Sequence, residues 1–79
     1  MNIQQLRYIL AVHEHRHFGR AAEACHVSQA SLSAMIRKFE NEHNIVVFDR
    51  SHQPIQTTSC GKDAITIIKR ILEEMDDLQ

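Results

Sequence analysis

Gln29, Ser33 and Arg37 follow one another at intervals of four residues, so on a helix they share one face. Each is a residue type that can address a base edge in a DNA major groove. Gln pairs bidentately with adenine N6 and N7, Ser exchanges a hydrogen bond with either kind of partner, and Arg prefers guanine or a phosphate. Ala30 and Ala34 lie beside them, short enough to let a backbone sink into the groove and apolar enough to meet thymine methyls. Ser28 and Ser31, with the free N–H groups of a helix start, suit phosphate oxygens. An ordinary solvated helix face can carry similar residues, so the pattern depends on the scaffold that presents it.

Other chemistries are less well served. Among six histidines, His13 and His17 have the i, i+4 spacing of a zinc pair. No Cys-x-x-Cys and no acidic third ligand accompany them, and the apolar period breaks at His15, so neither a metal nor another cofactor is expected. Ser28, Ser31 and Ser33 lack a His/Asp partner at a fixed spacing, so catalysis is not expected. Cys25 and Cys60 are too few for a disulfide scaffold. Cys25 falls on a core-facing helix position and Cys60 in a helix's first turn, which gives each a structural role.

The elements follow from the apolar spacing. Ile3, Leu6, Ile9 and Leu10 predict a first helix capped by Asn2 and running to about Glu14. His15-Arg16-His17 reads as a connection. A short second helix runs from Phe18 or Gly19 to Cys25, with Ala21, Ala22 and Ala24 allowing close approach by a neighbour. After the short link His26-Val27, Ser28 caps a third helix, in which Leu32, Met35, Ile36 and Phe39 form the apolar stripe. That helix lasts to His43, and Asn44 suits a left-handed cap. Ile45-Val46-Val47-Phe48 has strand character, Ser51-His52-Gln53-Pro54 is a turn, and Ile55-Gln56-Thr57 is the return strand. Thr58 caps a longer fourth helix with Gly61 in its first turn. In it Ala64, Ile68, Ile71, Met75 and Leu78 repeat at 4-3-4-3 spacing, a dimerisation seam of about two heptads, with Ile65 and Leu72 as a second strip. The alternative is that both strips are buried within one monomer.

The fold class is therefore mainly α: a winged helix-turn-helix with a three-helix core and a two-stranded wing, followed by a long helix. Residues 1–58 form the winged domain, with the helix-turn-helix at about 18–37 and the wing at about 45–57, and residues 59–79 form the linker helix. Seventy-nine residues allow one small domain, which buries roughly 60% of its chain surface. With 5% aromatics and no Trp the core is aliphatic. No apolar run approaches a membrane span and no secretory signal is visible, so the chain reads as cytoplasmic, with no membrane partner. The net charge of −1 does not by itself suggest a polyanion partner, but residues 1–58 carry +1 and residues 59–79 carry −2. A polyanion would meet the first part. A helical protein-interaction module without DNA binding is the alternative of another class, separable because DNA affinity falls steeply with salt.

Together the residues resemble a known family. Phe18-Gly19-Arg20-Ala21-Ala22-Glu23, His26-Val27-Ser28-Gln29, Leu32-Ser33, Ile36-Arg37-Lys38-Phe39-Glu40 and Phe48-Asp49-Arg50 are similar to the N-terminal winged helix-turn-helix of LysR-type transcriptional regulators. Thr58 and Gly61 fit the T-x-x-G that opens that family's linker helix. Glu14-His15-Arg16-His17-Phe18, Cys25-His26-Val27-Ser28-Gln29 and the small Ala34 resemble the peroxide-sensing OxyR branch. The alternative branch is one that answers a small-molecule metabolite. The resemblance implies sequence-specific binding of double-stranded DNA at an interrupted dyad, by a homodimer formed through the linker helix. It implies a homotetramer in the full-length regulator, leaves room for an RNA polymerase contact, and places the protein in the cytoplasm at the nucleoid. A C-terminal effector domain, absent from this chain, would carry the sensor. The DNA-binding set it implies is Arg20, Ser28, Gln29, Ala30, Ser31, Ser33, Ala34, Arg37, Lys38, Arg50, Ser51, His52 and Gln53. Departures from the family pattern are Ala30 in place of a frequent Pro, Met35 in place of Gln, Asn44 in place of Gly, and Gln53 at a wing tip that commonly offers a cation. Arg50 and His52 are left to serve the wing.

Overall fold

Asn2 opens the first helix with a reciprocal cap. Its side chain accepts from the Gln5 N–H at 2.8 Å, and the Gln5 side chain accepts from the Asn2 N–H at 3.2 Å. The structure, a computed structural model, describes residues 1–78. Helix α1 spans Ile3–His15 and ends at Arg16, which adopts the left-handed conformation. Helix α2 spans Phe18–Ala24, and its cap is His17, whose Nδ1 accepts from the Arg20 N–H at 3.0 Å. Helix α3 spans Gln29–His43 between the Ser28 cap and a left-handed Asn44, as its sequence predicts. The link from α2 to α3 turns at His26, also left-handed, and the Val27 N–H returns to the Ala22 carbonyl at 3.0 Å.

The wing is smaller than the β-branched run predicts. Strand β1 covers only Phe48–Asp49 and pairs antiparallel with β2, Gln56–Thr57, with Phe48 opposite Thr57 and Asp49 opposite Gln56. Ile45, Val46 and Val47 stay outside the ladder because other partners take their polar groups. The Ile45 N–H donates to the Glu40 carbonyl and the Val47 N–H to the Glu40 carboxylate, while the Thr58 N–H donates to the Val47 carbonyl. Helix α4 spans Ser59–Asp77 from the Thr58 cap.

Leu6, Ile9, Val12, Ala21, Leu32, Ile36, Val47 and Phe48 form the solvent-free centre, and Phe18 meets Phe48 edge to face at 6.2 Å. Ala21 and Ala22 are buried, whereas Ala24 is exposed. The side chain of Gln5, buried among these groups, donates to the Met35 carbonyl at 3.2 Å. On α4 the division between core and free surface differs from the heptad reading. Ile65, Ile68 and Leu72 all face the chain's own core. Ile68 thus leaves the expected dimerisation seam, because i, i+3, i+7 spacing sets it with Ile65 and Leu72 on one face. Ile67, outside both predicted strips, is instead 54% exposed. Among the described residues no helix is long and apolar enough to cross a membrane.

Candidate nucleic-acid interface

Two caps and a buried stripe set the outer face of α3. Ser28 accepts from the Ser31 N–H at 3.0 Å, and the two serine hydroxyls share a hydrogen bond at 2.9 Å. Leu32, Ile36, Phe39 and Glu40 hold the inner face. What remains outward is Ser28, Gln29, Ala30, Ser31, Ala34, Arg37 and Lys38, all exposed, with Ser33 half-buried. The structure thus brings together the predicted α3 residues on one side of the molecule. Arg20 is exposed on α2, one link before that face. Gly19 leaves room for the His17 ring: a Cβ built there would lie 2.9 Å from that ring, and 3.4 Å, an ordinary contact, from Gln29 Oε1.

The two side chains expected to serve the wing are placed differently. Arg50 turns inward: its Nη1 donates to Ser33 Oγ at 2.6 Å, its Nη2 lies 3.4 Å from Glu40 Oε1, and its guanidinium rests 4.6 Å above the Phe18 ring. Burial lowers its pKa from the ordinary guanidinium value, and the Glu40 carboxylate opposes that shift. Arg50 is therefore a brace between the wing and α3 rather than a free wing cation. His52 stays exposed at the surface, with its Nε2 lying 3.3 Å from Asp49 Oδ2. The Ser51 hydroxyl and N–H both donate to Asp49 Oδ1 and hold that carboxyl below the usual aspartate range. Ser51, His52, Gln53 and Pro54 are all exposed at the tip, where Gln53 is joined to Pro54 by a cis peptide bond.

Sequence reasoning passed over Glu40, although a signal was present. Leu32, Ile36 and Glu40 repeat at i, i+4, i+8, so the acid shares the apolar face and needs partners there. Its Oε2 accepts from the Val47 and Phe48 N–H groups at 2.7 and 3.4 Å, and its Oε1 faces Arg50. His13 and His17, the zinc-spaced pair, part company at Arg16. The Nδ1 of His13 meets Thr57 Oγ1 at 2.8 Å, while His17 caps α2. Cys25 is half-buried, with its thiol pKa pushed up by burial, and Cys60 is exposed.

Comparison with known proteins agrees with this arrangement. The "Hydrogen peroxide-inducible genes activator" of Pectobacterium carotovorum subsp. carotovorum is 41% identical over 85 residues, covering 100% of this chain and 28% of its own length. The full-length OxyR structure from Pseudomonas aeruginosa superposes with a TM-score of 0.93 at 37% identity, over 99% of this chain and 26% of that one. The DNA-binding domain of BenM, solved as a complex with benA site 1 DNA, superposes with a TM-score of 0.96 at 31% identity, over 99% of this chain and 88% of that one. The chain thus spans about a quarter of the length of the curated relatives it matches. A family model described as "Bacterial regulatory helix-turn-helix protein, lysR family" matches residues 3–62. With that match across most of the chain, and with a helix-turn-helix, a wing and a long fourth helix in the family's order, the chain belongs to the lysR family of bacterial regulatory helix-turn-helix proteins.

Proposed function

We propose that this chain is the DNA-reading arm of a transcriptional regulator, and that it binds double-stranded DNA with α3 in the major groove. The observation that carries the reading is the two-sided character of α3. Its inner face is sealed into the core, while Gln29, Ala30, Ala34 and Arg37 are exposed together on the outer face. Gln29 and Arg37 address base edges, Ala30 and Ala34 approach thymine methyls, and Ser28, Ser31, Arg20 and Lys38 hold the backbone. The BenM domain of the same fold was solved on DNA, which supports the DNA-binding reading. Residues 1–58 act as the reading unit and residues 59–79 as a linker helix. Two copies joined through α4 would place two recognition helices about one helical turn apart on an interrupted dyad. The parent is a peroxide-responsive activator of the OxyR type, tetrameric, and located in the cytoplasm at the nucleoid. The peroxide-inducible relative supports that finer assignment.

The test is selection of duplexes from a randomised pool, followed by affinity measurements across salt. Wild-type affinity should fall steeply and linearly on a log–log plot, because bound phosphates release counterions. Gln29→Ala should cost about 1–3 kcal/mol and relax preference at one base position. Equal loss on all sequences would remove Gln29 from base reading, and failure to select any duplex would end the DNA-reading proposal. A footprint of the full-length parent that is indifferent to peroxide would leave DNA reading intact and refute the peroxide assignment.

A further inference from the structure

We infer that the nucleic-acid interface continues past the recognition helix onto a basic stripe of Arg16, Lys62 and Lys69, which holds the phosphates of duplex flanking the recognition site. This inference rests on the DNA-reading role proposed above and deepens it. The C-terminal end of α1 adjoins both parts of the reading surface. On one side the Arg16 carbonyl accepts from the Ile55 N–H, in the segment leading into β2, at 3.0 Å. On the other, the next residue is His17, whose ring lies against Gly19, and a Cβ built on Gly19 would also meet Gln29 Oε1 at 3.4 Å. Arg16, itself exposed, thus stands where the wing and the start of α3 come together.

Helix α4 turns further cations toward the same end. Lys62, Thr66 and Lys69 repeat at i, i+4, i+7 and so share one side, where all three are exposed. That side faces the end of α1. Thr57, just before the α4 cap, meets His13 Nδ1 at 2.8 Å. After burial, it is the charges of Lys69, Arg16 and Lys62 that lower the His13 pKa, against Glu14. The apolar side of α4 faces the opposite end of α1, with Ile67 and Ile71 bordering Met1 and Leu6. The net charge of α4 conceals the stripe: Lys62, Lys69 and Arg70 precede Ile71, with Asp63 the one acid among them, and Glu73, Glu74, Asp76 and Asp77 follow it. Among the described residues none of the three stripe cations is paired with a carboxylate. Guanidinium and ammonium groups only donate, so an acceptor-rich polyanion fits them. Their continuity with the wing and with Gln29 favours a DNA backbone over an acidic protein surface. Such contacts add affinity and orientation without reading bases.

The test uses the 79-residue protein and two duplexes, one carrying the selected site alone and one extended on each side by a helical turn of about 10 base pairs. Each neutralised phosphate steepens the log–log salt dependence by about 0.9. Wild type should therefore bind the longer duplex about tenfold more tightly at low salt, with a slope steeper by about 2. Lys62→Gln combined with Lys69→Gln should lose most of that gain while keeping short-duplex affinity and base preference, and Arg16→Gln should remove the remainder. Arg7→Gln combined with Arg70→Gln takes the same charge from elsewhere on the exposed surface and should keep the gain. Matching melting temperatures show that the variants fold. A control that loses as much as the lysine variant would overturn the inference, since net charge alone would then account for the effect. So would a lysine variant that keeps the whole gain. A wild type indifferent to the flanks would also overturn it and leave the stripe to an acidic protein surface. Failure to select any duplex would instead strike the DNA-reading role itself.

Discussion

Gly61 shows how one missing side chain can set the join between two elements. A Cβ built on it would lie 2.3 Å from the Val47 carbonyl oxygen and 3.0 Å from Thr57 Cγ2. That carbonyl already accepts the Thr58 N–H, and Thr58 in turn caps the Gly61 N–H at 2.9 Å and donates to the Val46 carbonyl. The close approach is therefore tied down on both sides and has nowhere to relax. Gly61→Ala should destabilise the protein by about 1–3 kcal/mol, although alanine is ordinarily the better helix former. Thermal unfolding of the single variant checks this, and a variant as stable as wild type would mean that α4 can shift away from Val47 freely. The T-x-x-G spacing was legible in the sequence. The carbonyl that makes it necessary was not, because that contact joins the start of α4 to a loop twelve or more residues earlier.

At the scale of elements, boundaries that depend on local chemistry were readable and those that depend on tertiary partners were not. Asn2, Ser28, Asn44 and Thr58 cap where their residue types predict, since each bond lies within a few residues of the cap. The strand character of Ile45–Val47 was misleading because Glu40 and Thr58 take the polar groups that a strand would need. His17 as a cap was missed because an imidazole acceptor is not among the usual capping types. The junction of α1 with the wing carries a pH prediction. The His13 pKa is lowered first by burial, then by Lys69 and Arg16, with Glu14 opposing and Lys62 adding to the decrease. A histidine whose folded pKa lies below its unfolded value takes up its proton more readily in the unfolded chain. Its contribution to stability is therefore complete above the ordinary imidazole pKa and is lost as pH falls below it. His13→Asn, which can still reach Thr57, should flatten the fall in melting temperature between neutral and mildly acidic pH. Wild type and variant with parallel pH profiles would show that His13 does not report this junction.

At the scale of the whole molecule, exposed apolar surface decides what the chain can join. The accessible area is 5191 Å², somewhat above the roughly 4,900 Å² expected of a compact chain of this mass. The molecule is elongated, 37 Å by 27 Å by 20 Å, and α4 alone is 19 residues long, about 28 Å. Its unburied apolar side now reads Ala64, Ile67, Ile71, Met75 and Leu78, with Leu78 88% exposed. Ala64, Ile67 and Ile71 also line an apolar trough with Met1, Phe39 and Ile45, so the free side of α4 continues onto α1 and α3. A second copy of the chain, with its own α4, is the partner that the proposed dimer supplies. Binding that favours the folded state makes stability depend on concentration, so wild-type melting temperature should rise as the protein is concentrated. Ile67→Asp should abolish that rise while leaving the melting temperature of dilute protein nearly unchanged, because the site is largely exposed within one chain. Sedimentation of the same two proteins gives the complementary reading, a dimer for wild type and a monomer for the variant. A wild-type melting temperature independent of concentration, with a monomer in sedimentation, would remove α4 as the dimer contact of this 79-residue chain. The interrupted-dyad arrangement would then need another joint to hold two recognition helices in register.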